Sequence, residues 1–144
     1  MAHTEHLSAL FQLEQESFSH PWSVQGLGAE IENPQSIFLV AQTAQGLCGY
    51  GSLRLVMEEA SINNIAVSKA FRRQGVGRSL LRALMEKAVQ RGVTVFFLEV
   101  RASNTAAIAL YEGEGFLRQG VRRSFYRDPI EDGFILSRSC MTGE

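Results

Sequence analysis

Residues 60–100 read ASINNIAVSKAFRRQGVGRSLLRALMEKAVQRGVTVFFLEV, and this stretch decides the fold. The segments 60–67 and 93–100 predict two strands, the second of the apolar, buried parallel type. Between them, a polar and basic loop over 68–74 leads into a long helix that Gly75 opens and that ends near Gln90. Apolar residues recur on one face of this helix, at Val76, Leu80, Leu81, Leu84, Met85 and Ala88. The stretch therefore predicts one right-handed β-α-β crossover.

The flanking sequence predicts a sheet built around this unit. Its expected elements are a helix at 5–17, a helix from the N-cap Ser23 to about Glu32, strands at 36–43 and 47–57, a helix capped by Asn104 that ends near Glu112, and strands at 116–123 and 133–139. We predict a single α/β domain over residues 1–144, with a mixed, mostly antiparallel sheet and helices on both faces.

The composition is typical of one globular domain. The chain has 144 residues, of which 45% are hydrophobic and 20% charged, enough apolar mass for a single core. No apolar run approaches the ~18–20 residues of a membrane span, and the N-terminus lacks a signal-peptide core, so we expect a cytoplasmic protein without membrane contact. Two cysteines, Cys48 and Cys140, predict reduced thiols. His3, His6 and His20 lack metal-ligand spacing, and no metal is predicted.

The loop before the long helix predicts an anion site. Backbone N–H groups at a helix start are unpaired, glycines allow close approach, and arginines donate charged hydrogen bonds. The residues concerned are Arg72, Arg73, Gln74, Gly75, Val76, Gly77 and Arg78. A Walker loop is excluded because Arg78-Ser79 follows Gly77, and a dinucleotide fingerprint fits poorly because Leu80 stands at the third glycine position. A coenzyme A pyrophosphate loop and a plain glycine-rich helix entry both remain open.

Several motifs together resemble one family. They are NIAV at 64–67, the 72–78 loop, LEVRASN at 98–104, AAIALYE at 106–112 and GF at 115–116. This set resembles the GCN5-related N-acetyltransferases, and the tract with Arg122, Arg123, Tyr126 and Glu131-Asp132 resembles their RimI type, the ribosomal-protein-alanine N-acetyltransferases. The resemblance implies acetyl-CoA as co-substrate and the N-terminal peptide of a small-subunit ribosomal protein as acceptor. The usual first strand of that family is short or missing here, because only residues 1–5 precede the first helix.

The resemblance also assigns roles in direct transfer. Glu99, flanked by apolar residues on its strand, is the expected base, and a salt bridge with Arg101 is the alternative interpretation. Tyr111 is the expected acid for the leaving thiolate, and a core tyrosine is the alternative. Asn104 lies two helical turns from Tyr111 on the same face, about 10 Å away, and is expected to bind the pantetheine arm. The backbone of Ile65, Ala66 and Val67 is expected to bind cofactor where the two central strands diverge. The 72–78 loop is expected to hold the pyrophosphate.

Weaker indications concern the acceptor. Trp22, Phe125 and Tyr126 are candidate walls of a peptide pocket, although each is also a plausible core residue. An acidic first half, including Glu58 and Glu59, together with Asp132 could attract a basic peptide, or these could be solvated turn residues. No pattern of basic and aromatic residues indicates nucleic acid, and a monomer is plausible. Two other functions stay open: acetylation of lysines or small amines, and a non-catalytic acetyl-CoA-binding regulator.

Overall fold

The architecture comes from a computed structural model that describes residue 3, residues 6–17 and residues 22–139. Its elements are α1 (Leu7–Ser17), α2 (Val24–Glu32), β1 (Ser36–Thr43), β2 (Gly46–Val56), β3 (Glu59–Val67), a 3-10 turn (Lys69–Phe71), α3 (Val76–Gln90), β4 (Val95–Arg101), α4 (Thr105–Gly113), β5 (Leu117–Tyr126) and β6 (Glu131–Ser139). Every predicted helix and strand is present. The two capping predictions are confirmed, because Ser23 accepts from the Gly26 N–H and Asn104 accepts from the Ala107 N–H.

One six-stranded sheet holds the molecule together, in the order β1-β2-β3-β4-β6-β5. The β3–β4 pair is parallel, and the other four neighbouring pairs are antiparallel. This confirms the mixed, mostly antiparallel sheet with a β-α-β unit at its centre.

Helices cover both faces of the sheet, because successive strand residues face opposite layers. Ile37 packs in a large cluster with α3 and α4, whereas its neighbour Phe38 packs in a second cluster with α1 and α2. The α3–α4 cluster contains the face predicted for the long helix, including Leu81 and Leu84, both fully buried. The β3–β4 boundary therefore lies between two helical layers.

Some element ends differ from the prediction. The strand expected from residue 93 begins at Val95, because the Val93 N–H bonds to the Ala88 carbonyl and the Thr94 N–H to the Glu58 carbonyl. Val93 thus closes the end of α3, and Thr94 ties the loop to the β2–β3 turn, before the strand begins. β5 extends three residues beyond the predicted 123 and β6 starts two residues before 133.

The predicted first segment lies mostly outside the described residues. Residues 1–2 and 4–5 are not among them, and α1 is the first element that the structure describes. His20 and Cys140 also lie outside, whereas Cys48 is a buried free thiol. Within the described residues, helices are too short or too polar to cross a bilayer.

Candidate active site

The two central strands, β3 and β4, diverge partway along their length. β3 and β4 are paired only between Glu59–Ser61 and Val95–Phe97. Beyond that point β3 stays on β2, since residues 65–67 pair with residues 49–51. In an antiparallel pair, alternate residues turn their N–H and C=O groups away from the partner strand. The divergence expected from the sequence is therefore present, and only alternate residues of the 65–67 segment turn their backbone groups to its open side.

A β-bulge lies where the strands diverge. Ser52 pairs with Asn64 and Leu53 with Ile62, so Asn63 is the extra residue on β3. A bulge bends its strand and increases the local twist, which here directs β3 away from β4. Asn63 donates its side-chain amide to the carboxylate of Glu30 at 3.5 Å. Sequence reasoning missed this bulge, although two consecutive asparagines within a strand are unfavourable for β structure and could have indicated it.

The open end of the strands forms a cleft of two adjoining pockets. Their volumes are about 400 Å³ and 480 Å³. Both pockets are lined by Trp22, Asn63, Asn64, Glu99 and Tyr126. The first pocket extends along α4, and the second extends along β4 and β5. The predicted base and the predicted peptide walls therefore meet in one cavity.

Glu99 faces this cleft from the middle of β4. Its side chain is 35% exposed, and its Oε2 lies 3.4 Å from Nε of Arg122. The surroundings are thus more polar and more open than the apolar flank in the sequence suggested. The alternative interpretation, a salt bridge between Glu99 and Arg101, is wrong, because Arg101 forms an ion pair with Glu131 at 3.3 Å. Arg122 reaches Glu99 across β6, which lies between β4 and β5.

Tyr111 is a core residue that also lines the cleft, and its role as the acid stays a prediction. It belongs to the apolar cluster beneath α4, with its ring edge-on to Phe116 at 5.6 Å between centroids, and it also lines the first pocket. Burial raises the pKa of the Tyr111 phenol, and the neighbouring Tyr126 adds to the rise. The phenol therefore keeps its proton, as a proton donor must.

Asn104 lines the same pocket two turns earlier on α4. Its Oδ1 accepts the Ala107 N–H at 3.1 Å, which caps the helix. The amide NH₂ of Asn104 is not used by that cap and is the part of the side chain that could donate to a bound amide.

The 72–78 loop enters α3 through residues with positive φ. Gly75 is the N-cap, with φ of 81° and no side-chain cap, and Arg73 has φ of 64°. The N–H groups in the first turn of α3 therefore have no side-chain acceptor at the cap, and they can receive an anion. A Cβ at Gly77 would lie 3.5 Å from Leu110, an ordinary van der Waals contact, so packing does not require glycine there.

Two loop arginines are already engaged by the protein. The Arg72 Nε donates to the Val67 carbonyl at 3.1 Å. Arg78 Nε lies 3.7 Å from Oε2 of Glu114, just after α4. Gln74 donates to the Ala70 carbonyl at 3.3 Å. Arg72 and Arg78 therefore brace the loop, and Arg73 is exposed. The prediction that residues 72–78 hold the pyrophosphate stays a prediction.

Comparison with known proteins agrees with this geometry. A profile of the acetyltransferase (GNAT) family matches residues 7–116. The chain belongs to this family. It is 38% identical over 136 residues to the [ribosomal protein bS18]-alanine N-acetyltransferase of Escherichia coli K12, covering 93% of this chain and 91% of that protein. It is 34% identical to the putative enzyme of that name from Bacillus subtilis, over 92% and 88% of the two chains.

Solved structures give the same result. The crystal structure of the ribosomal-protein-S18-alanine N-acetyltransferase from Escherichia coli superposes with a TM-score of 0.88 at 36% identity, covering 99% of this chain and 94% of that one. The structure of Ard1 from Thermoplasma volcanium superposes with a TM-score of 0.87 at 25% identity, over 97% and 95% of the two chains. The fold predicted from the β-α-β stretch is thereby confirmed.

In this acetyltransferase, the far side of the cleft is an aromatic wall. Trp22 and Tyr126 line both pockets, and Phe125 lines the second. The wall needs Gly133 on β6, since a Cβ there would lie 2.9 Å from the Tyr126 ring. The guanidinium of Arg101 lies 4.7 Å from the centre of the same ring. Sequence reasoning named the aromatic residues but missed the glycine and the arginine that seat them.

The predicted acidic attractors lie elsewhere. Glu58 and Glu59 are at the β2–β3 turn, by the paired end of β3, and line neither pocket. Asp132 accepts the Ser124 N–H at 2.8 Å and braces the β5–β6 hairpin. These three carboxylates therefore do not line the cleft.

Proposed function

We propose that this acetyltransferase transfers the acetyl group of acetyl-CoA directly to the α-amino group of the N-terminal alanine of ribosomal protein bS18. The observation that carries the proposal is the cleft itself, where Glu99 and Tyr111 face the gap between β3 and β4. Its support is the 38% identity, over 93% of the chain, to an enzyme named for that reaction. A ribosomal-protein acceptor would place the reaction in the cytoplasm.

The described residues suit the two substrates on opposite sides of the gap. For acetyl-CoA, the uncapped start of α3 and Arg73 would hold the pyrophosphate, and Asn104 would donate to a pantetheine amide. Backbone groups of residues 65–67 would pair with the same arm. The acceptor peptide would enter beside Trp22 and Tyr126. Acetyl-CoA and the acceptor peptide would then meet near Glu99.

The proton movements follow from the environment of each group. An amine attacks the thioester only when neutral, so a base must accept its proton. Glu99 would do so, through a water molecule if the amine lies beyond direct reach, since its side chain is 35% exposed and open to solvent. The leaving thiolate needs a proton, and the protonated phenol of Tyr111 can donate it.

One observation favours an α-amine over a lysine side chain. An α-amino group has a pKa of about 7.7–8.0, against about 10.4 for lysine, so much less driving force is needed to deprotonate it. Among the described residues that line the two pockets, Glu99 is the one carboxylate. A single carboxylate can deprotonate the more acidic α-amine with less driving force, which favours that acceptor.

The direct test uses synthetic peptides and acetyl-CoA, read by mass spectrometry. We expect one acetyl group on the α-nitrogen of a peptide with the bS18 N-terminus. The matched control is the same peptide with a blocked N-terminus, which should gain no mass. Acetylation of internal lysines in both peptides would instead support the lysine alternative. Calorimetric binding of acetyl-CoA without turnover of any peptide would support the non-catalytic alternative.

A further inference from the structure

Helix α1 carries a buried carboxylate on its sheet-facing side. Glu14 is 1% exposed and shares that side with Leu10 and Leu13, which pack in the smaller apolar cluster. Its Oε2 accepts the backbone N–H of Trp22 at 2.9 Å. Its Oε1 is buried without a hydrogen-bond partner among the described residues. Burial raises the pKa of the Glu14 carboxyl, and the bond from Trp22 lowers it.

Such a group is expensive to bury. A carboxylate loses its hydration when it is buried, and one hydrogen bond compensates only part of that loss. A leucine of similar volume would pack with Leu10 and Leu13 without this cost. Packing therefore gives no reason for a carboxylate at position 14. The hydrogen bond from the Trp22 N–H, the one that the carboxylate accepts among the described residues, does give a reason.

Trp22 is the residue that α1 holds at the cleft. It lines both pockets, and it lies outside any helix or strand, immediately before the cap of α2. Its N–H group therefore has no partner from regular structure, and the carboxylate supplies one. Ser17, one turn after Glu14 on α1, lines the first pocket. The C-terminal part of α1 thus contributes to the cleft.

We propose that Glu14 is a positioning residue that fixes the Trp22 backbone and so sets peptide affinity at the cleft mouth. The inference rests on the proposed function, because it takes the Trp22 side of the cleft as the peptide side. Glu14 lines neither pocket of the cleft. Its loss should therefore raise KM for peptide and leave kcat at saturating peptide, and the affinity for acetyl-CoA, unchanged.

The decisive comparison is Glu14→Leu against Glu14→Gln, with the bS18 N-terminal peptide as substrate. Leucine removes the acceptor, and we expect peptide KM to rise about tenfold, the usual effect of losing a hydrogen bond to a charged group. Glutamine keeps an acceptor oxygen, and we expect KM within about twofold of wild type. Glu16→Leu, at an exposed position of the same helix, is the matched control and should leave KM unchanged. A purely structural role would lower the Tm of Glu14→Leu, whereas we expect its Tm to be equal or higher.

A spectroscopic readout isolates the contact. Trp22 is the only tryptophan in the chain, so its fluorescence reports this position alone. We expect a red-shifted emission and stronger quenching by acrylamide in Glu14→Leu, but not in Glu14→Gln or Glu16→Leu. If Glu14→Leu does not fold, Glu14→Asp, whose shorter side chain withdraws the acceptor, takes its place with the same readouts.

The outcomes separate this inference from the proposed function. Wild-type peptide KM and wild-type Trp22 emission in Glu14→Leu would overturn the role of Glu14. An equal rise of peptide KM in Glu14→Leu and Glu14→Gln would overturn it too. Both results require that wild-type protein acetylates the peptide. A wild-type protein that leaves the peptide unmodified would overturn the proposed function instead.

Discussion

The two ends of the β3–β4 pair are formed by the same two strands but have different functions. At the closed end, Glu59–Ser61 and Val95–Phe97 satisfy each other through backbone hydrogen bonds. At the open end, the bulge at Asn63 separates the strands, and side chains such as Glu99 face a cavity. One end stabilises the fold by completing the sheet, and the other leaves backbone and side-chain groups for ligands. Substitutions at the two ends should therefore affect different measurements.

The largest effect is expected at the closed end. Phe96 is fully buried and pairs with Ala60, so Phe96→Ala should lower the free energy of unfolding by about 4 kcal/mol. Urea denaturation measures this, and Phe96→Leu should cost much less. Activity per folded molecule should not change. A large fall in kcat of folded Phe96→Ala would contradict the idea that the closed end stabilises the fold without contributing to catalysis.

At the open end, Glu99→Gln should remove the proton acceptor and leave stability unchanged. We expect kcat/KM to fall several hundredfold, a typical loss for a general base, and to fall most at low pH, where the amine is charged. Acetyl-CoA affinity, measured by calorimetry, should stay the same. The matched control is Glu59→Gln, an exposed carboxylate at the closed end, which should keep the wild-type rate. A wild-type rate in Glu99→Gln would remove Glu99 from the mechanism.

Tyr111→Phe should lower kcat about a hundredfold, because the thiolate would leave without its proton donor. Since burial raises the pKa of Tyr111, the phenol stays protonated below its ordinary value of 10. The loss should therefore be the same factor across pH 6 to 9, a range below the tyrosine pKa of about 10. Tyr50→Phe, which removes a buried hydroxyl outside the cleft, is the control. Weaker acetyl-CoA binding with an unchanged rate per bound complex would contradict the acid role.

A smaller effect is expected where α3 begins. Arg73→Ala should weaken acetyl-CoA binding about fivefold at low salt, and the difference should shrink as salt rises, because its expected partner is a phosphate. Calorimetric titration at two salt concentrations tests this. Lys87→Ala, at the other end of α3, removes an equal charge and should change nothing. A loss that does not depend on salt would indicate a structural role for Arg73.

The smallest effect concerns stability against pH. Because the folded-state pKa of Glu14 is raised, its contribution to stability is full below the unfolded value of about 4.5 and is lost as pH rises through the folded value. Glu14→Gln should therefore flatten this part of the stability profile measured by denaturation. An unchanged profile would mean that Glu14 does not ionise differently in the folded protein.

Much of the fold could be predicted because its signals are local. The apolar face of α3 and the caps Ser23 and Asn104 depend on residues a few positions apart, and all three predictions are confirmed. The predicted start of β4, residue 93, was wrong because the N–H groups of Val93 and Thr94 bond to carbonyls outside the sheet. Val93 bonds to Ala88 at the end of α3, and Thr94 bonds to Glu58 in the distant β2–β3 turn. Propensity alone contains no information about such partners.

The cleft was predictable in its residues but less so in their partners. Motifs placed Glu99, Tyr111 and Asn104 together, and the structure lines one pocket with all three. Their roles in catalysis and binding stay predictions. The bulge at Asn63 and the burial of Glu14 were missed, since paired asparagines are only a weak signal for a bulge and a buried carboxylate has no motif.

The sequence by itself determined the order of the elements, the β-α-β unit and the glycine-rich entry to α3, since periodicity and turn chemistry are properties of neighbouring residues. Only the tertiary structure decided that Glu99 pairs with Arg122 and not with Arg101. Arg122 lies on β5, which is two strands away from β4. The pairing of β5 with β6 shifts register on either side of residues 120–122. A side chain's partner across a sheet depends on register, and register depends on bulges that long-range packing selects.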